Sequence, residues 1–132
     1  MAKERVMKTN QYELYLTPEQ RSGGSIKGFD LEQRLEDEKL IERYMSLESP
    51  LVKGWLADSP TYPEEFKGKT VFLWKSQRTT GSGVIVAYLY WDGDGDRVIV
   101  GWYWLGDWWG GYSPVLLAPK AEQNSATGQA SS

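Results

Sequence analysis

Asp92, Asp94 and Asp96, separated by single glycines, form the densest set of ligand-type side chains in the chain. Their spacing fits the first, third and fifth positions of a calcium loop, but Arg97 stands where such a loop needs glycine and Tyr103 where it needs a bidentate Glu. Asp and Gly tolerate positive φ and here lie between two strand-like runs, so residues 92–96 read as a hairpin turn. Asp94 and Asp107 form the one carboxylate pair that a fold could bring together for glycoside hydrolysis. Neither Gly23–Gly24 nor Gly81-Ser82-Gly83 leads into the Lys-Ser/Thr pair and helix of a phosphate loop.

The chain has no cysteine and no histidine, which removes thiolate and imidazole zinc sites, Cys or Ser–His nucleophiles and disulfides. Enzymatic chemistry would rest on carboxylates alone, and the expectation is a protein that is not an enzyme, with no cofactor and no metal. Residues 84–118 carry a single cation, Arg97, against Asp92, Asp94, Asp96 and Asp107. Nucleic-acid binding needs phosphate neutralisation, so that partner is not expected. No apolar run approaches the roughly 18 residues of a membrane span, and the first ten residues are basic and polar without an apolar signal core. Synthesis in the cytoplasm is expected, with later display on a surface or particle left open.

The seven tryptophans and eight tyrosines exceed what a small core needs. Five of the seven tryptophans lie between Trp91 and Trp109, and the residues around them are mostly Gly, Tyr, Asp and Ser. Trp55 and Trp74 sit in apolar contexts and are expected in the core. Alternation places Trp102 and Trp104 on one face of a strand with Val98 and Val100, and Ile99, Tyr103 and Leu105 on the other. Buried indoles would then hold a rigid frame for outward-facing Gly, Tyr, Asp and Ser, residue types favoured in combining sites.

The elements that must position these residues follow from periodicity. Residues 12–16 alternate as a short strand, and Thr17 to Gln20 forms a capping box with Pro18 at the first helical position. A longer helix is predicted from Asp30, capped by Asp30 with Gln33, with a core stripe of Leu31, Leu35, Ile41, Tyr44 and Met45. Arg34–Glu38 and Glu36–Lys39 have supportive spacing, and the acidic run at 36–38 reads as a solvated face. Ser49 and Pro50 open a second helix through Leu56, with Leu51, Val52, Trp55 and Leu56 inward. One turn over residues 63–68 ends at Gly68.

From residue 69 the period is two. Strands are predicted over 69–76, 84–91, 97–105 and 115–118, with a flexible polar loop at 77–83. Val71 and Leu73 share one face of the first of these strands, Phe72 and Trp74 the other. With both faces apolar, one would pack on the helices and the other on a further layer or a ligand. The order implies an α+β domain with its helices against one sheet. Residues 1–10 are expected to be a flexible N-terminus, 11–119 one domain, and 120–132 a disordered tail.

The segment VAYLYWDGDGDRVIVGWYWLGDWWGGYSPVLLA resembles the C-terminal variable region of proteins diversified by diversity-generating retroelements. In that family template adenines are randomised, so AAY codons give Gly, Tyr, Asp or Ser, while Trp codons, which lack adenine, stay fixed. The resemblance implies that Gly101, Tyr103, Gly106, Asp107, Gly110, Gly111, Tyr112 and Ser113 are diversified, with Tyr88, Tyr90 and Asp92 upstream. It implies that Trp102, Trp104 and Trp109 are scaffold, and that 84–118 is the variable region. It also implies a C-type-lectin-like fold: a strand, two helices packed on an antiparallel sheet, then several strands, with the chain ends close together. The expected ligand is a protein or cell-surface molecule, bound by those residues together with Trp108; oligomeric state is left open.

Two alternatives carry different expectations. VAYLYW, GDRVIV and GDWWGG are similar to elements of SH3 domains, implying a peptide slot lined by Trp108, Trp109 and Tyr112, although only five residues separate Trp91 from Arg97 where SH3 domains have a long loop. A small phage-type inhibitor would instead act through the acidic segment 32–42 on a host protein.

Overall fold

A computed structural model describes residues 11–119; the expected flexible N-terminus and disordered tail lie outside the described residues. The elements are β1 (Glu13–Tyr15), α1 (Pro18–Arg21), β2 (Ile26–Lys27), α2 (Gly28–Asp37), α3 (Pro50–Ala57), β3 (Val71–Thr80), β4 (Gly83–Asp92), β5 (Arg97–Trp104), β6 (Trp108–Trp109) and β7 (Val115–Leu117). Five strands form a sheet in the order β1–β7–β3–β4–β5, and β2 pairs with β6 in a small second ladder. The two ends of the described chain meet in that sheet, with Glu13 opposite Leu117 and Tyr15 opposite Val115. β7 runs parallel to β3 through Phe72 and Val115, so the sheet is mixed and not purely antiparallel as expected.

Alternation in β3 sorts the core as the sequence implies, with Val71 and Leu73 on one face and Phe72 and Trp74 on the other. The helices, however, lie on opposite faces. Val52 and Trp55 of α3 pack with Val71, Leu73, Ala87 and Leu89. Leu31 and Leu35 of α2 pack with Phe72, Trp74, Val86 and Trp109. The apolar second face of the sheet is therefore covered by a helix of the same chain, which corrects the expectation of both helices on one side.

α1 has the capping box read from its sequence: the Gln20 amide donates to Thr17 Oγ1 at 3.2 Å and the Thr17 amide to Gln20 Oε1 at 2.9 Å. α2 departs from its prediction at both ends. It starts at Gly28 without a side-chain cap because the Gly28 N–H donates to the Asp107 carbonyl at 2.9 Å. It stops at Asp37 because Lys39 adopts φ +60°, and the Leu40 N–H returns to the Leu35 carbonyl. Ile41 and Tyr44 thus leave the helix; Ile41 is exposed, and Met45 is buried from the following segment. Arg34 pairs with Glu19 at 2.8 Å and not with Glu38, which accepts from the Tyr15 hydroxyl. Ser49 precedes α3 as expected, but its hydroxyl accepts from the Ser46 amide and not from the helix.

Residues 77–80, expected in a flexible loop, continue β3. A bulge between Leu73 and Gln77 restores pairing, so that Gln77 faces Val86 and Thr80 faces Gly83. The protruding residues are used, since Lys75 N–H bonds to the Met45 carbonyl and Ser76 Oγ accepts from Leu47 N–H. Residues 93–96 form the anticipated turn, with the Asp94 amide on Asp92 Oδ1 and Asp96 at φ +51°. Asp94 and Asp107 lie beyond opposite ends of β5, so the fold does not unite the carboxylate pair.

Candidate ligand-binding surface

The chain from Leu105 to Pro114 crosses the α2 side of the sheet and is tied down along its length. Trp109 is completely buried, its ring 4.1 Å from Phe72, 5.2 Å from Trp74 and 5.1 Å from Tyr103 between centroids. The Gln20 carboxamide donates to the Gly110 carbonyl at 2.9 Å and the Ser113 carbonyl at 3.3 Å. Thr70 donates to the Tyr112 carbonyl from its amide at 2.8 Å and from its hydroxyl at 3.0 Å. Tyr103 donates to the Trp108 carbonyl at 2.7 Å, and Asp107 accepts from the Trp108 amide at 2.8 Å. With so many main-chain groups satisfied from other elements, the segment is held like a strand, yet it presents Tyr112 at 76% and Trp108 at 55% exposure.

Two surfaces adjoin along this segment. The first is the tyrosine face of the sheet. Tyr88 and Tyr90 stand in contact on β4 at 5.9 Å, and Tyr88 and Tyr103 both contact Phe72. Burial, and next the neighbouring Asp107 carboxylate, push the Tyr103 phenol above its ordinary range. The second is a depression of about 550 Å³ lined by Phe29, Trp104, Trp108, Lys27, Ser82 and Asp107. The Lys27 ammonium lies 5.5 Å from the centre of the Trp108 ring. Ring faces, phenol tips, an ammonium and a carboxylate within one area can stack on a partner and hydrogen-bond to its polar groups.

The structure thus brings together Tyr88, Tyr90 and Tyr103, and beside them Gly106, Asp107, Trp108, Gly110, Gly111, Tyr112 and Ser113. Asp92 stands apart, at the far end of β4, where it faces Arg97. Gly101 and Gly111 have packing reasons of their own. A side chain at Gly101 would overlap the Tyr88 ring opposite it, and a Cβ at Gly111 would lie 2.9 Å from the Gln20 carbonyl oxygen. Gly110 has open space around its Cβ position. Trp104 is not the buried scaffold residue expected but 44% exposed, because β5 ends at the sheet edge and its indole has no layer over it. Trp102 is half-buried beneath the Arg78 guanidinium, 4.5 Å from the ring. Complete burial also takes Trp109 out of any peptide slot.

Sequence reasoning missed Phe29, Lys27 and Gln20. Phe29 is 61% exposed, an apolar residue at the start of a helix whose apolar stripe points elsewhere. Its neighbour Gly28 carried the signal: a side chain there would overlap the Leu105 carbonyl, so α2 begins pressed against the same segment.

Among the described residues no cluster of three acidic side chains could hold a metal ion, and no helix is long and apolar enough to cross a membrane. No protein-family model, curated protein or solved structure matches the chain.

Proposed function

We propose that this protein is a non-enzymatic ligand-binding protein on a C-type-lectin-like scaffold, and that Tyr103, Asp107, Tyr112 and Ser113 in the segment 101–113 display its specificity toward a protein or cell-surface ligand. The observation that carries the reading is the combination of exposure and restraint at Tyr112 and Trp108: large aromatic side chains in solvent on a backbone pinned by Gln20 and Thr70. Preorganised aromatic anchors contribute affinity without the cost of ordering a loop. The two longer helices α2 and α3 between β1 and the run β3–β7, with β1 beside β7, support the scaffold assignment. Trp104 and Phe29 extend the anchoring surface beyond the diversified positions.

Reading the gene and its flanks tests the diversification directly. A near-copy of the segment encoding residues 84–118, differing only at adenines and lying beside a reverse transcriptase gene, is the expected finding. Its absence would defeat the diversified-display reading. For a ligand selected from a displayed protein library, Trp108→Ala or Tyr112→Ala should each weaken binding by roughly 1–2 kcal/mol.

A further inference from the structure

β5 is an edge strand that lacks the usual guards. In its ladder with β4, Asp92 faces Arg97 and Ile85 faces Trp104, and the Leu105 N–H reaches the Val84 carbonyl. That phase turns the main-chain groups of Arg97, Ile99, Gly101 and Tyr103 toward β4 and those of Val98, Val100, Trp102 and Trp104 away from it. The outward Val98 amide is taken by Ser59 Oγ at 3.1 Å, from the turn that follows α3. Among the described residues, the outward groups of Val100 and Trp102 and the N–H of Trp104 have no partner, while the Trp104 carbonyl accepts from the Asp107 N–H at 3.1 Å. Edge strands are ordinarily blunted by lysine, proline or a bulge, and the stretch from Val98 to Trp104 has none of these.

We propose that β5 pairs antiparallel with β5 of a second copy, across a two-fold axis at Trp102, to join two sheets into one. The free edge is self-complementary in length and in charge. Trp102 would face Trp102 of the second copy, and Val100 would face Trp104, giving roughly four main-chain hydrogen bonds, two between the Trp102 residues and one from each Trp104 N–H to a Val100 carbonyl. Ser59 closes the edge at Val98, and the chain turns away after Trp104, so the pairing is bounded at the same length on both copies. One end of β5 carries the exposed cation Arg97 and the other leads to the exposed carboxylate Asp107. Antiparallel pairing brings each Arg97 toward Asp107 of the second copy, twice, whereas a parallel pair would set like charges together. The indole of Trp104, 44% exposed on one chain, would lie over Val100 of the other. The matching length and charge of the two edges make the second copy the occupant that the geometry favours. The pairing shares Trp104 with the depression beside Phe29, and it would set the tyrosine faces of two copies side by side on one continuous sheet.

Sedimentation equilibrium of the full chain, from roughly 1 to 200 µM, tests the pairing. The wild type should move toward twice the monomer mass as concentration rises. Val100→Pro puts a ring in place of an outward N–H on the pairing edge at the loss of some side-chain packing, and Trp104→Lys places a charge on that edge; each should leave a folded monomer by circular dichroism. Should Val100→Pro fail to fold, Trp104→Lys decides alone. Arg97→Asp should weaken the dimer at least tenfold, and adding Asp107→Arg should restore it. A wild type that stays monomeric over the whole range, or a dimer that persists in folded Trp104→Lys, overturns the proposal.

Discussion

The carboxamide of Gln20 donates to the main-chain carbonyl of Gly110 at 2.9 Å, across 90 residues of sequence. Gln20 is 2% exposed, and its other end completes the capping box with Thr17. One side chain therefore closes the first turn of α1 and holds the segment that carries Tyr112.

Gln20→Ala removes both roles at once and leaves half-buried carbonyls at Gly110 and Ser113 without this donor. The expected cost is about 1–3 kcal/mol in urea denaturation. Faster hydrogen exchange should appear at Gly111–Ser113 amides before it appears in β3 or β4. A loss of stability without that local change would show the tether to be incidental.

Two glycines in helices should respond in opposite directions. A side chain at Gly28 would overlap the Leu105 carbonyl, which cannot give way without moving the whole 105–109 segment. Gly28→Ala should destabilise by about 3 kcal/mol or more in the same denaturation experiment. Gly54 of α3 is exposed with open space around its Cβ position, so Gly54→Ala should raise stability by about 0.5–1 kcal/mol.

The alkaline limit of stability should be set by tyrosines. Burial raises Tyr62, Tyr12 and Tyr15 well above their ordinary value, with the Glu65 and Glu38 carboxylates adding to the last two, and Tyr44 is pushed up to about 12. A phenol held protonated in the folded state contributes stability that is complete below the unfolded pKa near 10 and is lost as pH rises through the folded value. At the acid end Arg34 holds Glu19 down to about 2, and its contribution fades as pH falls from 4.5 toward that value. Melting temperature should therefore be flat across neutral pH and fall above pH 10, together with the rise in tyrosinate absorbance. Tyr62→Phe should blunt the alkaline fall. At neutral pH it should be neutral or stabilising by up to about 1 kcal/mol, since its buried hydroxyl has no partner among the described residues.

Much of this arrangement was legible where local chemistry decides it. The Thr17–Gln20 box, the α3 start at Pro50, the turn after Asp92 and the two faces of β3 all follow from residue type and spacing. Legibility failed where a distant segment decided the outcome. α2 starts at Gly28 because of Asp107, and β3 continues through polar Gln77–Thr80 because a bulge re-establishes its pairing. Alternation placed Trp104 with Trp102, yet it says nothing about whether a layer covers the end of a strand. Phe29 joined the aromatic surface for the same reason: its partners Trp104 and Gly106 lie more than seventy residues away in sequence.

Trp109 and Tyr112, three residues apart, should separate scaffold from display. Trp109 is wholly buried against Phe72, Trp74 and Tyr103, so Trp109→Ala opens a cavity in the α2-side core and should cost about 3–5 kcal/mol. Tyr112 is 76% exposed, and the hydrogen bonds at its position belong to its carbonyl, which any residue supplies. Tyr112→Ala should therefore stay within about 0.5 kcal/mol of wild type. Paired melts of the two variants decide the point. Equal losses would mean that Tyr112 packs in solution against something that makes it part of the fold, and the display reading would then lose its central residue. A stable Tyr112→Ala beside a failing Trp109→Ala would leave the tyrosine free to be exchanged without penalty, and tolerance of that kind is required of any position whose identity is to vary with the ligand.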